Sequence, residues 1–300
     1  MHIVIVDTSR VVHRSIAEIL ASSGHKITCF TDAQKALDHV AADDTVACVL
    51  TSLETHPIDG FALCWQLRVL ANARRPLAIL VMSSAYGSRD LGEVLDSGAD
   101  DFMSKPPGVG ELMARLRATE RLLGLQRDLI RQADTDHLSQ LLNRGAFLRR
   151  AESLAERPGS ESALMALLID IDHFKTINDR HGHAVGDAAI RSVAGVLRET
   201  GALSCRWGGE EFAVLVDGHG QGGTAIVAHT IRRRCAMLRI IGTGEERVSL
   251  TVSIGVGAWS DQGGMDGMMR RADVALYAAK TGGRNRVSMM TSDAVVECIG

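Results

Sequence analysis

Aromatic residues are scarce in this chain: three Trp, two Tyr and six Phe among 300 residues. The formal net charge is -3, so there is no basic field either. Nucleic-acid binding draws on basic surfaces and aromatic stacking, and it is not expected here. No apolar run is long enough to cross a bilayer. The opening MHIVIVD lacks a long apolar stretch behind a basic start, so neither a membrane role nor a signal peptide is expected. The six cysteines (Cys29, Cys48, Cys64, Cys205, Cys235, Cys298) contain no C-x-x-C pair, which removes the usual signals of zinc sites and disulfide frameworks. Buried, reduced thiols of a cytoplasmic protein are the plain expectation. The glycine-rich DGHGQGGT, Asp217–Thr224, lacks the GxxxxGK[ST] pattern and reads as a turn. His181 and His183 have near-ligand spacing, but a loop explains them better than zinc.

What is present is an ordinary globular balance, 46% hydrophobic and 23% charged, over a length that suits two domains. In the first hundred residues, short apolar runs (Ile3–Val6, Ile27–Phe30, Cys48–Leu50, Leu77–Met82, Asp101–Met103) alternate with amphipathic stretches such as Val11–Leu20, Phe61–Leu70 and Leu91–Leu95. That alternation predicts an α/β doubly wound parallel sheet with chemistry at its C-terminal strand ends. Those ends carry Asp7, Thr51–Ser52, Ser83–Ser84 and Lys105–Pro106.

Two parallel leucine series follow. Ala118, Leu122, Leu125 and Leu129 recur at steps of four, three and four, with Leu116, Leu123 and Ile130 beside them. This predicts a helix that packs on its own sheet and then continues as a dimer stalk, with Gly124 as a weak point. Beyond residue 133 the pattern changes. Strands are expected at Leu164–Ile169, Leu203–Trp207, Phe212–Val216 and Ser249–Val256, and helices at Asp187–Arg198, Ala225–Leu238 and Gly267–Thr281. Their order implies an α+β split β-α-β domain, ferredoxin-like, with a hairpin at Gly208–Glu211.

Acidic residues at strand ends and hairpin tips are usually solvated. Here Asp170, Ile171 and Asp172 close one strand, and Glu210 and Glu211 tip a hairpin beside Gly208 and Gly209, which permit a tight turn or a close ligand. Carboxylates around an open site suit magnesium. Lys175 lies nearby, and Lys280 and Arg284 share a helix face at i and i+4. Cations beside a magnesium site point to triphosphate binding.

The run RWGGEEF, Arg206–Phe212, resembles the signature of GGDEF-type diguanylate cyclases. DHLSQLLNR (Asp136–Arg144), LLIDIDHFKTINDRHGHAVGD (Leu167–Asp187), TVSIGV (Thr251–Val256) and RADVALYAAKTGGRNR (Arg271–Arg286) resemble further motifs of that family, in its order. The resemblance implies condensation of two GTP into cyclic di-GMP by a homodimer with antiparallel sites. Asp170 and Glu210, with the carbonyl of Ile171, would hold two magnesium ions, or manganese in their place. Glu210 is also the position proposed as base, with Glu211 supporting. Lys175 would offset charge on the phosphates, and Lys280 and Arg284 would hold the β- and γ-phosphates. Asn178 and Asp187 would read the guanine edge, with His183, Gly208 and Gly209 lining the nucleotide pocket. Many members carry an inhibitory RxxD product site five residues before the GG pair. Glu199 and Ala202 stand there in this chain, and a one-residue shift to Arg198 and Gly201 still lacks the acid, so no inhibitory product site is expected.

Residues 1–107 resemble a response-regulator receiver, the input domain of two-component systems. Asp7 is kept, with Thr8 where a second acid is common. Ser52 stands at the phosphoacceptor position, Ser84 at the hydroxyl switch and Lys105 at the pocket lysine. Ser52 offers no carboxylate nucleophile, so the pocket reads as degenerate. Glu54 or Asp59 could serve as a substitute acceptor, but both are expected to be solvated loop acids. The resulting division is a receiver at 1–107, a helical stalk at 108–134 and a cyclase domain at 135–300. The receiver would serve dimerisation, or bind a protein partner or ligand. The alternative reading is a GGDEF protein that binds GTP without condensing it, or a scaffold acting through its receiver surface.

Overall fold

The computed structural model describes residues 1–72, 74–84, 90–156, 164–218, 220–242, 247–260, 263–292 and 295–299. Ala85 and His219 lie outside the described residues, as do the side chains of Leu91 and Cys298. The chain divides into two compact units, Met1–Arg131 and Gln132–Gly300.

In the first unit, β1 (His2–Val6), β2 (Lys26–Phe30), β3 (Val46–Ser52), β4 (Ala78–Ser83) and β5 (Asp101–Ser104) form a parallel sheet in the order β2-β1-β3-β4-β5. They alternate with α1 (Arg10–Leu20), α2 (Ala33–Ala42), α3 (Gly60–Leu70), α4 (Asp90–Asp96) and α5 (Val109–Asp134). Strand parity decides which helices each face meets. Val4 and Val6 pack with Ala36 and Val40 of α2 and Leu63 and Leu67 of α3. Ile3 and Ile5 pack with Ile16 and Leu20 of α1 and Leu112 and Leu116 of α5. Both faces are covered, as an all-parallel sheet requires. The strand order reverses between β1 and β3, so Asp7 and Ser52 emerge at the switch point, where such sheets bind ligands.

Helix α5 is continuous through Gly124. Its two leucine series separate by environment: Leu116 and Leu123 are buried in the core of the first unit, whereas Leu122, Leu125 and Leu129 are exposed.

The second unit is built on a mixed sheet in the order β14-β13-β12-β7-β9-β8-β6. Its strands are β6 (Leu142–Asn143), β7 (Met165–Ile171), β8 (Leu203–Gly208), β9 (Glu211–Val216), β12 (Val252–Ala258), β13 (Val287–Ser292) and β14 (Val295–Ile299); β10 (Ile240–Ile241) and β11 (Arg247–Val248) form a separate pair. The helices are α6 (Arg144–Ala155), α7 (Phe174–His181), α8 (His183–Arg198), α9 (Gly220–Met237) and α10 (Gly264–Thr281). Odd-numbered residues of β7, such as Leu167 and Ile169, pack with α8 and α9 through Val193, Leu197, Ile231 and Cys235. Even-numbered residues, Ala166 and Leu168, pack with Phe147 of α6 and with Met268, Ala272 and Leu276 of α10. Asp170 and Asp172 continue the even parity.

Helix α10 lies directly on the backbone of β12. A Cβ added at Gly255 would come within 2.1 Å of Leu276 N, and one at Gly257 within 2.3 Å of Met268 O. Glycine at these two positions lets helix and strand touch and sets the height of α10 above β7.

Several elements differ from the sequence expectations. The glycine-rich segment is not a turn throughout: α9 begins at Gly220, five residues before the expected Ala225. Thr224, Ala228, Ile231 and Cys235 form one buried stripe, and tertiary burial overrides the low helix propensity of Gly222 and Gly223. The helices expected to begin at Asp187 and Gly267 start at His183 and Gly264, and the strand expected over Ser249–Val256 spans Val252–Ala258. Helices α6 and α7 were not delimited by periodicity; α7 buries only Ile177. The last dozen residues, expected as a tail or cap, contribute strand β14, paired antiparallel to β13.

Candidate active site

In the second unit, Asp170 pairs in register with Glu211 of β9 on one side and Ser253 of β12 on the other. Glu210 follows in the β8–β9 turn, its carbonyl accepting from Ile171 N at 3.4 Å. Three carboxylates from two distant segments therefore gather at one sheet end. Asp170 is buried and faces α10, where Lys280 Nζ lies 2.7 Å from its Oδ2. Burial pushes the Asp170 carboxyl above its ordinary range, Lys280 opposes this, and Glu210 and Glu211 push it further up. A low-dielectric end crowded with like charge stabilises a bound cation. Contrary to the expectation that Arg284 shares a helix face with Lys280, α10 ends at Thr281 and Arg284 is exposed in the connection that follows, with a φ of +63°.

The turn itself does not require glycine for its own fold. The tight turn expected here is present, two residues between β8 and β9, but neither Gly208 nor Gly209 has a positive φ. A Cβ at Gly209 would meet no protein atom within 4 Å. The space above it is open, as close approach of a ligand would need. Arg206 secures the turn from below: its Nε and Nη2 donate to Gly209 O at 2.9 and 2.7 Å. Its Nη1 donates to both Asp136 oxygens at 3.2 Å. Burial works against the Asp136 charge, but the Ser139 N–H and Arg206 outweigh it and hold the carboxyl below the usual range. The DHLSQLLNR motif thus braces the RWGGEEF turn. Asn143 of the same motif caps α6 by accepting from Ala146 N at 2.9 Å.

On the other flank, α7 and α8 meet at Gly186, where an added Cβ would lie 1.9 Å from Asn178 Oδ1. That oxygen is buried and has no hydrogen-bond partner among the described residues. His183 and Asp187 are exposed on the first turns of α8, and Lys175 is exposed at the start of α7.

Sequence reasoning assigned no role to Asp136, Arg206, Gly186 or Gly255, although all lie within the quoted motifs, nor to Gly257 just beyond one, and it placed Asp172 only among the carboxylates at a strand end. Asp172 is 4% exposed and accepts Thr251 Oγ1 and Ser253 Oγ at 2.6 Å and Asn285 N at 3.0 Å. Arg198 donates to Ser139 O at 2.7 Å, and Glu199 pairs with Arg234. Both residues near the missing product-site motif are therefore engaged within the chain.

The receiver pocket is closed by its own residues. Lys105 Nζ reaches Asp7 Oδ2 at 2.9 Å, Ser52 Oγ at 2.8 Å and Glu54 Oε2 at 3.0 Å. Burial disfavours the lysine charge, yet Asp7 and Glu54 prevail and raise its pKa. Glu54 is not simply a solvated loop acid: its Oε2 accepts from Ser52 Oγ at 2.7 Å and its Oε1 from Ser84 Oγ at 3.4 Å. The Ser52 hydroxyl, then Lys105, hold its carboxyl below the ordinary range against burial. Asp59 caps α3, accepting from Phe61 N and Ala62 N at 3.0 Å. Thr8 is exposed beside the pocket.

Among the described residues, His2, His39 and Asp43 also bring three potential metal-ligand atoms within 4.8 Å of one another. Lys26 Nζ lies 3.8 Å from Asp43 Oδ2, and Thr45 N and Oγ1 donate to Asp43 Oδ1. That carboxylate is already compensated. No helix among the described residues is long and apolar enough to cross a membrane.

Comparison with known proteins agrees with this geometry. Residues 133–286 match the family "Diguanylate cyclase, GGDEF domain", and residues 3–117 match "Response regulator receiver domain". The chain is 31% identical over 298 residues to the response regulator PleD of Caulobacter vibrioides, covering 95% of this chain and 64% of that protein. It is 38% identical over 172 residues to the diguanylate cyclase DgcM of Escherichia coli, covering 54% of this chain and 40% of that protein. The chain thus spans less than two thirds of the length of these relatives. Among solved structures, the coiled coil and GGDEF domain of DgcB from Caulobacter crescentus, in complex with c-di-GMP, aligns with a TM-score of 0.54 at 35% identity, covering 60% of this chain and 99% of that one. The diguanylate cyclase SiaD of Pseudomonas aeruginosa, in complex with its activator SiaC, aligns at 0.51 and 28% identity, covering 60% of this chain and 72% of that one. With the family match extending across the braced turn, the gathered carboxylates and Lys280 of α10, the chain belongs to the GGDEF diguanylate cyclase family and carries a response-regulator receiver domain ahead of the GGDEF domain.

Proposed function

We propose that this protein is a magnesium-dependent diguanylate cyclase that joins two GTP molecules into cyclic di-GMP and two pyrophosphates, working as a cytoplasmic homodimer. One observation carries the reading: the buried Asp170, raised in pKa by burial and by Glu210 and Glu211, sits 2.7 Å from the Lys280 cation at an open sheet end. Oxygen donors crowded in this way fit a divalent ion. Asp170, Glu210 and the Ile171 carbonyl would hold it, and when bound it supplies Lewis acidity at the α-phosphate and lowers the pKa of the attacking hydroxyl.

The chain's own residues do the rest. Asn178 and Asp187 accept from the guanine N1–H and N2–H₂, and the partnerless Asn178 Oδ1 supports that assignment. His183 borders the base, and Gly208 and Gly209 leave room for the ribose and α-phosphate. Lys280 releases Asp170 and, with Arg284, takes the β- and γ-phosphates. Glu210 accepts the 3'-hydroxyl proton as the oxygen attacks the α-phosphorus of the facing GTP, and pyrophosphate leaves with the electrons of the broken P–O bond. Glu211 supports the carboxylate cluster, and Lys175 offsets charge on the transferring phosphate. Two such events close the ring, so two domains must face each other. The exposed Leu122, Leu125 and Leu129 stripe on α5 favours self-association through the helix of residues 108–134, between a receiver at 1–107 and a cyclase domain at 135–300.

The receiver in this reading works without aspartyl phosphate. Ser52 supplies no carboxylate, and the contacts of Glu54 with Ser52, Ser84 and Lys105 support a pocket held in one state until a protein partner or ligand acts on it. Product inhibition through an RxxD site is absent. The test is GTP turnover by the purified protein with magnesium, beside Glu210→Gln, with products separated by chromatography. Cyclic di-GMP from the wild type alone is expected. Bound GTP without product in any dimeric state would overturn catalysis in favour of a GTP-binding module.

A further inference from the structure

The connection after α10 has an unusual backbone. Gly283, Arg284 and Asn285 have φ of +119°, +63° and +45° in succession. Two neighbouring non-glycine residues in the left-handed region need support from outside the turn. Part of that support is local: Gly282 N donates to Ala278 O at 2.9 Å and Arg284 N to Ala279 O at 3.0 Å, closing the end of α10. The remainder comes from elsewhere in the chain, from the residue that follows β7 and from α9. Asn285 N donates to Asp172 Oδ2 at 3.0 Å, and Arg232 Nη1 donates to Asn285 Oδ1 at 3.0 Å.

Asp172 is held firmly enough to serve as an anchor. Its Oδ1 accepts from Ser253 Oγ and its Oδ2 from Thr251 Oγ1, each at 2.6 Å, and its own N–H donates to Thr251 O at 2.9 Å. Both hydroxyls belong to the chain entering or forming β12, so the carboxylate locks the end of β7 to that strand. It lies two residues beyond Asp170 with the same parity. Two carboxylates from one strand end thus reach the same helix terminus: Asp170 contacts Lys280, and Asp172 contacts the residue after Arg284.

We propose that Asp172 is the positioning residue for the triphosphate cations: by holding Asn285 N–H it fixes the left-handed turn that aims Arg284 over the site, in register with Asp170 and Lys280. Asp172 does not touch the nucleotide. Its effect falls on the β- and γ-phosphates and spares the guanine contacts, which come from α7 and α8 on the other flank. The inference rests on the nucleotide-binding reading of the site.

The experiment measures binding of a GTP analogue with a non-cleavable α–β bridge, and separately of GMP, to the full chain with magnesium, by calorimetry. Asp172→Ala should weaken the triphosphate by about tenfold, the scale of a lost charge-assisted contact, and leave GMP within about twofold. Asp172→Asn keeps an oxygen for Asn285 N–H and should restore most of the affinity. Arg284→Ala should lose affinity to a similar degree, and adding Asp172→Ala to it should cost little more, because the anchor acts through that arginine. Should Asp172→Ala fail to fold, Asn285→Pro supplies the same test. It deletes the one donor and cannot adopt the left-handed φ, so it must show the same selective loss. Equal weakening of triphosphate and GMP, full additivity with Arg284→Ala, or unchanged triphosphate binding in a folded Asp172→Ala would each overturn the proposal. A wild type that binds GMP and the triphosphate alike would instead overturn the reading of the site itself.

Discussion

Gly255→Ala separates the packing of this fold from its chemistry. The added Cβ would lie 2.1 Å from Leu276 N, 2.2 Å from Ala272 O and 2.6 Å from Leu276 Cα. Ordinary non-bonded contact is about 3.5–4.0 Å, so helix and strand must part by roughly an ångström or more. All three atoms are backbone, and no rotamer change relieves them. Overpacking of this kind costs about 1–3 kcal/mol, offset by the roughly 0.4–1 kcal/mol that alanine contributes by restricting the unfolded chain. At about 2–4 °C per kcal/mol for a domain of this size, the second unit should lose roughly 1–10 °C in Tm. Trp207 and Trp259 both lie in this unit, and Trp65 in the other is already 63% exposed, so tryptophan emission reports chiefly the relevant transition. Because α10 carries Lys280, GTP turnover should fall together with stability. Gly209→Ala is the matched control: with no atom within 4 Å of its Cβ and no positive φ, its stability should stay within about 0.5 kcal/mol of wild type while turnover collapses. A Gly255→Ala protein that melts with the wild type, or a Gly209→Ala protein destabilised as much as Gly255→Ala, would refute the reasoning.

Two further outcomes follow from the ionisation of named groups. Asp136 is held below the ordinary carboxylate range in the folded protein, so its contribution is fully present above that range and disappears as pH falls through the lowered folded value; Asp136→Asn should flatten the acid limb of a stability-against-pH curve for the second unit, and an unchanged slope would count against the Arg206 brace. Burial pushes the Cys48, Cys205 and Cys235 thiols up to about 12 and Cys64 up to about 11. Only exposed Cys29, among the described cysteines, should then react readily with a thiol reagent in the folded state, and rapid labelling of Cys205 without unfolding would contradict the packing.

Much of this was legible in the chain because the signals are local. Apolar runs with punctuated amphipathic stretches announced the parallel receiver sheet, and the serine at position 52 was legible at once, since a residue type can be read without coordinates. The two leucine series on α5 were also visible, but which one is buried was not. That depends on how the helix rolls against Ile3, Ile5 and Met103, which are distant in sequence. The same limit hid the role of Glu54, which reads as a loop acid until β4 and β5 bring Ser84 and Lys105 to it.

For the second unit, the sequence alone determined the carboxylates, the cations, the turn glycines and the family to which they belong, because motifs preserve side-chain chemistry in order. It did not reveal that the motifs serve one another. Asp136 and Arg206 are 70 positions apart, and Asp172 and Asn285 are 113 apart. Such pairs meet only when β7, β9 and β12 align in register and α10 settles onto Gly255 and Gly257. Local propensity carries no information about that register. Side-chain parity on a strand and the absence of a Cβ under a helix convert it into distance, and those the tertiary structure alone decided.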